Sequence, residues 1–266
     1  MRTNVVYNMD CIKLMQKLPE GSVDLILTDL PYGETTFGWD VIIPLSPMWE
    51  NMDRILKDNG SVVMTAKQPF TSMLIMSNLN NVKKDIIKVK FKYELIWIKD
   101  TCVDYLRSRI KPIQYHEDII IFSKGNVANR CNNPMTYNPQ GTTKTYQEYK
   151  PQKKSKEGSF QTSRPSTMRP GNYKYEKNFP TSIIKANNKN EKKLHPTQKP
   201  INLFEYLIKT YSNEEDVVMD CCAGSGTTAI SCLNTNRQYI LTEKDKKYYD
   251  IIKQRIDEHS KYLLIK

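Results

Sequence analysis

A glycine-rich turn near the C-terminal end of this chain most constrains its fold. The stretch Val217–Asp220 predicts a strand, and Thr227–Asn234 predicts a helix. Between them lies Gly224-Ser225-Gly226, where glycine permits a tight turn and the helix N-terminus offers free N–H groups. An open α/β sheet binds nucleotide-like ligands at such a turn. Because only 40 of the 266 residues follow Gly226, most of the sheet must come from the N-terminal half.

Strand and helix patterns alternate through the rest of the chain. Strands are predicted at residues 4–8, 23–28, 61–65, 93–98, 118–122, 217–220 and 239–242, and helices at 11–18, 48–56, 71–78, 203–211, 227–234 and 248–261. This alternation predicts an α/β domain with a mostly parallel, twisted sheet and helices on both faces. The late position of the glycine turn predicts a permuted Rossmann-like fold.

Positive charge is concentrated in one internal segment. Residues 124–199 carry 16 Lys and Arg against 4 Asp and Glu, whereas the whole chain has a net charge of +11. The segment has only four Val, Ile or Leu residues, too few to offset a backbone entropy cost of about 1–2 kcal/mol per residue. Its interleaved cations and tyrosines suit phosphate contacts and base stacking. It therefore predicts binding to nucleic acid and low order without it; a solvated linker is the alternative.

An acidic turn follows the strand predicted at residues 23–28. It reads Thr28-Asp29-Leu30-Pro31-Tyr32-Gly33, and we call residues 28–33 the acidic turn. The C-terminal end of a strand is the edge of an α/β sheet at which ligands bind. An acid, a proline and an aromatic ring together predict a reactive site, although Asp-x-Pro is also a common structural turn.

The two turns together resemble the motifs of the amino-group DNA methyltransferases, which methylate N6 of adenine or N4 of cytosine. The catalytic motif of that family is (Asp/Asn/Ser)-Pro-Pro-(Tyr/Phe/Trp), and its cofactor motif is usually Asp-Pro-Phe-x-Gly-x-Gly-Thr. Here they read Asp29-Leu30-Pro31-Tyr32 and Asp220-Cys221-Cys222-Ala223-Gly224-Ser225-Gly226-Thr227. Further matches are Asn8-Met9-Asp10-Cys11, Tyr115-His116-Glu117-Asp118 and Leu194-His195-Pro196-Thr197-Gln198-Lys199-Pro200. We call residues 194–200 the linking segment.

The resemblance covers residues 1–124 and 194–258 and implies an order of parts. Catalytic motif first and cofactor motif last is the arrangement called the beta group, with target recognition in between. It implies a methyltransferase domain made of a catalytic half, residues 1–123, and a cofactor-binding half, residues 194–266. Residues 124–193 are then a basic, irregular target-recognition insert.

The resemblance also implies the chemistry: methyl transfer from S-adenosylmethionine to an exocyclic amine, without a metal. Asp29 and the Leu30 carbonyl are expected to accept the amine N–H groups, and Tyr32 to stack on the flipped base, with Pro31 holding Leu30 extended. Residues expected to bind the cofactor are Gly224, Gly226 and Thr227 near its methionine portion, Lys199 at the methionine carboxylate, Glu243 at the ribose, Asp10 and Cys11 at the adenine, and Asp220 within the loop.

Two departures from the family pattern have different consequences. Leu30 replaces the first proline of the catalytic motif, which keeps the carbonyl but removes the restraint of a ring on φ. Cys221-Cys222 replace the usual Pro-Phe, which removes an aromatic ring near the cofactor. These departures leave a catalytically inactive DNA-binding relative as an alternative.

An aspartate in the catalytic motif is typical of enzymes that act on adenine, so we expect N6-adenine methylation, with N4-cytosine as the alternative. The expected partner is double-stranded DNA, with a homodimer possible and any partner nuclease unidentified. An RNA or protein-glutamine methyltransferase and an NAD dehydrogenase are weaker alternatives. The short apolar runs predict no membrane span, and six cysteines without CxxC spacing predict reduced thiols in a cytoplasmic protein.

Overall fold

The described part of the chain forms two compact units. The structure is a computed structural model that describes residues 1–265 except 35, 36, 39, 104, 129, 150–170 and 188–193. The larger unit comprises Met1–Asn138 and Ser182–Lys266, and the smaller unit comprises Pro139–Thr181. Both boundaries of the smaller unit lie within residues 124–193, the predicted insert. The role of that insert as a separate functional domain remains a prediction.

Ten strands and six α-helices make up the described fold. The strands are β1 (Val5–Tyr7), β2 (Val23–Asp29), β3 (Leu56–Ala66), β4 (Lys90–Val103), β5 (Gln114–Ser123), β6 (Thr143–Tyr149), β7 (Gly171–Lys177), β8 (Ile183–Lys185), β9 (Val217–Asp220) and β10 (Gln238–Thr242). The helices are α1 (Cys11–Met15), α2 (Leu45–Ile55), α3 (Phe70–Lys83), α4 (Ile201–Tyr211), α5 (Thr227–Asn234) and α6 (Lys246–Ile265).

Eight of the strands form one mostly parallel sheet. Their order is β1-β10-β9-β2-β3-β5-β4-β8, and only the pairs that β5 makes with β3 and β4 are antiparallel. Strand β2 lies between β9 and β3 and is parallel to both. The C-terminal ends of β2 and β9 therefore meet at one edge, which brings Asp29 and Asp220 to the same side of the sheet.

Helices cover both faces of this sheet. Residues of β2 alternate between two apolar clusters: Ile26 packs with α1, α2 and α3, whereas Leu25 and Leu27 pack with α4, α5 and α6. Alternating side chains point to opposite faces of a strand, so a central strand covered on both faces is apolar throughout. The predicted α/β class and the mostly parallel sheet are confirmed.

The structure differs from the sequence prediction around residues 56–60. Asp58-Asn59-Gly60 were expected to end a helix before a strand at residues 61–65, but α2 ends at Ile55 and β3 begins at Leu56. The register of β3 against β2 shifts here, so these residues form an irregularity inside the strand. Gly60 fits because a Cβ there would lie 2.8 Å from the carbonyl oxygen of Asp24.

The predicted insert is not irregular throughout. Within the smaller unit, β6 and β7 pair as an antiparallel ribbon. Strand β8 belongs to the larger unit and extends its sheet beside β4, because Ile184 is buried and the Trp97 indole donates to the Ala186 carbonyl at 3.0 Å. Low order was expected throughout residues 124–193; of these, 129, 150–170 and 188–193 lie outside the described residues, and the expectation stays a prediction.

In the part of the chain that the structure describes, no helix has the length and apolar character needed to cross a membrane.

Trp49 is the largest fully buried side chain on the face that carries α2. Its indole donates to the Ser77 hydroxyl at 2.8 Å and meets the ring of Phe122 edge-on, with 4.7 Å between centroids. We expect Trp49→Ala to lower the free energy of unfolding by about 3–5 kcal/mol in urea titrations, because it leaves a cavity. The exposed control Met76→Ala should change it by less than about 0.5 kcal/mol. Equal stability of the two variants would contradict this packing.

Candidate active site

The acidic turn and the glycine turn line a single cavity of about 1100 Å³ in the larger unit. The linking segment and the neighbouring ends of β4 and β5 complete its wall. The cavity is lined by all the predicted site residues except Gly226: Asp29, Leu30, Pro31 and Tyr32 from the acidic turn, and Asp10, Cys11, Lys199, Asp220, Gly224, Thr227 and Glu243 from the predicted cofactor site. Residues far apart in the chain thus share one site.

Three side chains bind the carboxylate of Asp29 at the end of β2. The Tyr32 hydroxyl donates to Oδ1 at 2.8 Å, and the Thr65 hydroxyl donates to the same oxygen. The Lys199 ammonium donates to Oδ2 at 2.6 Å. Thr65 comes from the C-terminal end of β3, where the parallel register pairs it with Asp29. The carboxylate is therefore held in one orientation from three sides.

Lys199 lies between two carboxylates. Its Nζ is also 3.6 Å from Glu117 Oε2, an atom that is buried and has no hydrogen-bond partner among the described residues. The other oxygen of Glu117 accepts from Lys99. Burial lowers the pKa of Lys199, but the charges of Asp29 and Glu117 outweigh it and leave that pKa above its ordinary value. Lys199 is therefore a buried cation.

Lys199 was expected at the methionine carboxylate; in the structure its ammonium donates to Asp29, and the expected contact with the cofactor stays a prediction. Sequence reasoning missed Thr65, Lys99 and Glu117 as neighbours of the site. Glu117 lies within the matched stretch Tyr115–Asp118, which was the available signal. Thr65 carries no motif, and only the strand register brings it to Asp29.

The rest of the acidic turn has a rigid arrangement. The Tyr32 ring stacks on Phe70, with centroids 5.1 Å apart, and burial followed by the charge of Asp29 raises the Tyr32 pKa well above its ordinary value. The Leu30 side chain is buried in the core. Within the part of the chain that the structure describes, no backbone hydrogen bond outside helices and strands ends on the Leu30 carbonyl oxygen.

Backbone geometry explains both glycines of the glycine turn. Gly224 and Gly226 have φ angles of +54° and +80°, in the left-handed region that favours glycine. A Cβ on Gly226 would lie 2.9 Å from Ile252 on α6, so this residue packs the turn against the helix and does not line the cavity. The Gly224 N–H donates at 2.8 Å to Oε2 of Glu243, and burial raises the pKa of that carboxyl.

The linking segment joins the glycine turn to Asp29. Gln198 Oε1 accepts from the Leu194 N–H at 3.0 Å and from the Ser225 hydroxyl at 3.1 Å. The Thr227 hydroxyl donates to the Lys199 carbonyl at 3.3 Å. The backbone of the segment is thereby fixed to the glycine turn while the Lys199 ammonium reaches Asp29. One short segment thus sets the position of both predicted motifs.

Asp10 and Asp220 have structural bonds at the cavity wall. Asp10 caps α1, since its Oδ1 accepts from the N–H groups of Ile12 and Lys13. Asp220 accepts from the Cys222 N–H at 3.0 Å and from the Thr228 hydroxyl, which fixes the start of the glycine turn. Burial raises the pKa of Asp220 to about 6. In the described chain, no group of three or more His, Cys, Asp or Glu is arranged to hold a metal ion.

A family model of the N6 and N4 type, described as DNA methylase, matches residues 23–254. The chain belongs to this DNA methylase family. The match confirms the family predicted from the motifs, with DNA as its substrate, and the predicted cofactor S-adenosylmethionine. Assignment to the beta group remains a prediction.

Relatives and solved structures agree with the family. Type II methyltransferase M.HpaI of Haemophilus parainfluenzae is 28% identical over 93% of this chain and 72% of its own length. Type II methyltransferase M1.MboII of Moraxella bovis is 26% identical over 93% of this chain and 94% of its own length. The crystal structure of the M1.HpyAVI–SAM complex has a TM-score of 0.59 at 22% identity, covering 94% of this chain and 98% of that one. PvuII DNA methyltransferase (cytosine-N4-specific) has a TM-score of 0.63 at 14% identity, covering 99% and 93%. These structures confirm the fold.

The raised pKa of Asp220 makes a prediction about stability. Because the folded-state pKa lies above the unfolded value, the stability contributed by this carboxyl is full below the unfolded pKa and is lost as the pH rises through about 6. Asp220→Asn has no carboxyl to titrate at this position. The free energy of unfolding, measured in urea titrations, should therefore differ between the wild type and this variant by about 2 kcal/mol more at about pH 4.5 than at about pH 8. The same loss at both pH values would contradict the buried position of this carboxyl.

Proposed function

We propose that this methylase transfers a methyl group from S-adenosylmethionine to N6 of an adenine flipped out of double-stranded DNA at a specific sequence. The observation that carries the proposal is the Asp29 carboxylate, held by Tyr32, Thr65 and Lys199 in the cavity that the glycine turn also lines. The sulfonium of the cofactor supplies an electrophilic methyl group, so the protein must orient the weakly nucleophilic amine.

Asp29 and Leu30 provide acceptors for that amine. We assign the Asp29 carboxylate to one N–H and the Leu30 carbonyl to the other. Both bonds draw the nitrogen toward tetrahedral geometry, and the carboxylate stabilises the positive charge that develops on it. Pro31 keeps Leu30 extended, so the leucine at this position serves as well as proline for the carbonyl. Tyr32 is assigned to contact with the flipped base, beside its stack on Phe70.

We assign Lys199 to Asp29 in place of the methionine carboxylate. The buried Lys199 ammonium donates at 2.6 Å to Oδ2 of the carboxylate that is assigned to the amine. This hydrogen bond also fixes the direction of Oδ2. Lys199 is thus a positioning residue for Asp29.

The remaining predicted residues fit the chemistry of the cofactor. The glycine turn allows close approach, and we assign Gly224 and Thr227, which line the cavity, to the methionine portion, with Gly226 packing the turn against α6. The half-buried Glu243 carboxylate, directly after β10, suits ribose hydroxyls. Asp10 and Cys11, at the start of α1, are assigned to the adenine, and Asp220 holds the loop.

The choice of adenine rests on Asp29. A carboxylate at the first motif position is typical of N6-adenine enzymes, whereas N4-cytosine enzymes usually have serine there. Cytosine N4 methylation is the alternative because the two amines share the same geometry. The retained carboxylate network speaks against an inactive relative, since a buried charged pair has no evident use in a protein that binds DNA alone.

We assign target recognition to the basic insert, residues 124–193, between catalytic and cofactor-binding halves at 1–123 and 194–266. The relatives M.HpaI and M1.MboII are type II methyltransferases, so we place this methylase in restriction–modification, with a nuclease still to be identified. A homodimer and a cytoplasmic location, next to the DNA, complete the proposal; all six cysteines are free thiols.

The base is identified by incubating the protein with methyl-labelled S-adenosylmethionine and unmethylated duplex DNA, followed by digestion to nucleosides. We expect label in N6-methyladenine. Asp29→Ala should bind cofactor and DNA as the wild type does, yet lose turnover by about 100-fold or more, because the amine loses its charged acceptor. The control Asp250→Ala removes a surface carboxylate that pairs with Lys246 and should keep full activity.

Label in N4-methylcytosine would replace adenine with cytosine in the proposal. Absence of label in every base would refute the function. Full activity of Asp29→Ala would remove Asp29 from its assigned role.

Lys199→Met tests the assignment of Lys199 to Asp29. Without the ammonium, the Asp29 carboxylate loses the hydrogen bond that fixes Oδ2, so kcat should fall by about tenfold or more. Affinity for S-adenosylmethionine, measured by calorimetry at neutral pH, should change little. The surface variant Lys246→Met is the control. An unchanged kcat together with a large loss of cofactor affinity would return Lys199 to the methionine carboxylate.

A further inference from the structure

The hairpin made by β4 and β5 extends past the active site. In the register of the sheet, Asp29 on β2 pairs with Thr65 on β3, and Thr65 pairs with Ile119 on β5. Strand β5 begins five residues earlier, at Gln114, which adds about 17 Å of strand beyond Ile119. The part of the hairpin beyond Ile119 still lines the cavity, through Asp100, Thr101 and Cys102 of β4 and Gln114 of β5. The hairpin is therefore continuous with the cavity wall and reaches beyond it.

Large apolar side chains are exposed at the tip of this hairpin, residues 105–111. Leu106 is 98% exposed, Ile110 is 81% exposed and Tyr105 is 68% exposed. These are the three most exposed large hydrophobic side chains in the described part of the chain. Keeping such side chains in water is unfavourable, so their presence together calls for an apolar partner.

The tip has an ordered backbone of its own. Tyr105–Arg107 form a 3₁₀ turn, the Ser108 N–H donates to the Tyr105 carbonyl at 3.0 Å, and the Ile110 N–H donates to the Arg107 carbonyl at 2.9 Å. Local hydrogen bonds therefore hold the shape of the tip, while the side chains of Leu106 and Ile110 are exposed to solvent. Such a tip can enter a partner with little loss of conformational entropy.

Charge identifies the partner. The seven residues of the tip contain Arg107, Arg109 and Lys111, all exposed, and no acidic residue. Cations around apolar side chains suit DNA, whose phosphates lie outside stacked bases, and DNA-bending proteins insert apolar side chains between base steps in this way. A surface for a second copy of this chain would not need three like charges, which repel their own copies across a symmetric interface.

We propose that the hairpin tip enters the DNA next to the target base, with Leu106 occupying the space that the flipped base leaves in the stack. The cations of the tip contact the adjacent phosphates. The inference rests on the proposed function, since it supplies that reaction with a residue that keeps the base extruded. Leu106 is a positioning residue here, because it acts on the DNA opposite the cavity and not on the reacting atoms.

Leu106→Ala tests the proposal in single-turnover methylation of two duplexes that contain the recognition site. That site is identified beforehand by sequencing DNA that the wild type has methylated. One duplex is fully paired; in the other, the target base faces an abasic site and is already unpaired. Leu106→Ala should slow methylation of the paired duplex by about tenfold or more, because flipping costs more without the inserted side chain. On the unpaired duplex, its rate should come within about threefold of the wild type.

A control variant, a second tip variant and a stability measurement accompany Leu106→Ala. Met76→Ala removes an exposed apolar side chain from α3, outside the cavity wall, and should methylate both duplexes like the wild type. Arg109→Gln should reduce the salt dependence of DNA binding, because it removes one phosphate contact. Leu106 is almost fully exposed, so its removal should leave the thermal unfolding midpoint unchanged.

Equal rates of Leu106→Ala and wild type on the paired duplex would overturn the proposal, as would an equal loss on both duplexes. A change of oligomeric state in sedimentation, with methylation unchanged, would assign the tip to a second copy and overturn it too. Methylation of the unpaired duplex by the wild type separates this result from failure of the proposed function. If the wild type methylates neither duplex, the function fails and the inference with it.

Discussion

The ion pair between the buried Lys199 and the half-buried Asp29 is the constraint on which the site depends. It joins residues 170 positions apart, at 2.6 Å, where the linking segment passes the end of β2. Removing two charges from water costs several kcal/mol for each ion, and close contact with further hydrogen bonds offsets this cost. Tyr32 and Thr65 supply those bonds to Asp29, and Glu117 lies near Lys199. The pair holds the acidic turn and the linking segment in one geometry.

The same segment explains how the two motifs act together. Its Gln198 side chain accepts from the Ser225 hydroxyl and its Lys199 carbonyl accepts from the Thr227 hydroxyl, while its lysine ammonium donates to Asp29. A shift of the glycine turn would therefore move the ammonium at the catalytic carboxylate. The permuted chain order makes this connection necessary, because the cofactor strand β9 comes late in the sequence, with only β10 after it among the described strands, yet lies directly beside β2 in the sheet.

Much of the fold and of the cavity follows from the sequence, and the remainder has physical causes. The apolar run of β2 and the glycines at 224 and 226 carry strong local signals, so their elements and their common edge were predictable. The partner of Lys199 was not, because a lysine side chain can reach either side of its backbone and only the packed structure fixes its direction. Strand β8 has three residues and depends on burial of Ile184 beside β4, so no local pattern reveals it. The hairpin tip was also missed, since exposure of Leu106 is a property of the folded chain.

A crystal structure with sinefungin, an S-adenosylmethionine analogue whose amine replaces the methyl-bearing sulfur group, tests the central claim most directly. The account predicts that the analogue lies in the cavity with its ribose at Glu243, its methionine portion at the glycine turn, and its amine directed toward the Asp29 carboxylate. Lys199 should remain on Asp29 in that complex. An analogue bound outside this cavity, or bound with its amine directed away from Asp29, would contradict the claim that the two turns form one methyl-transfer site.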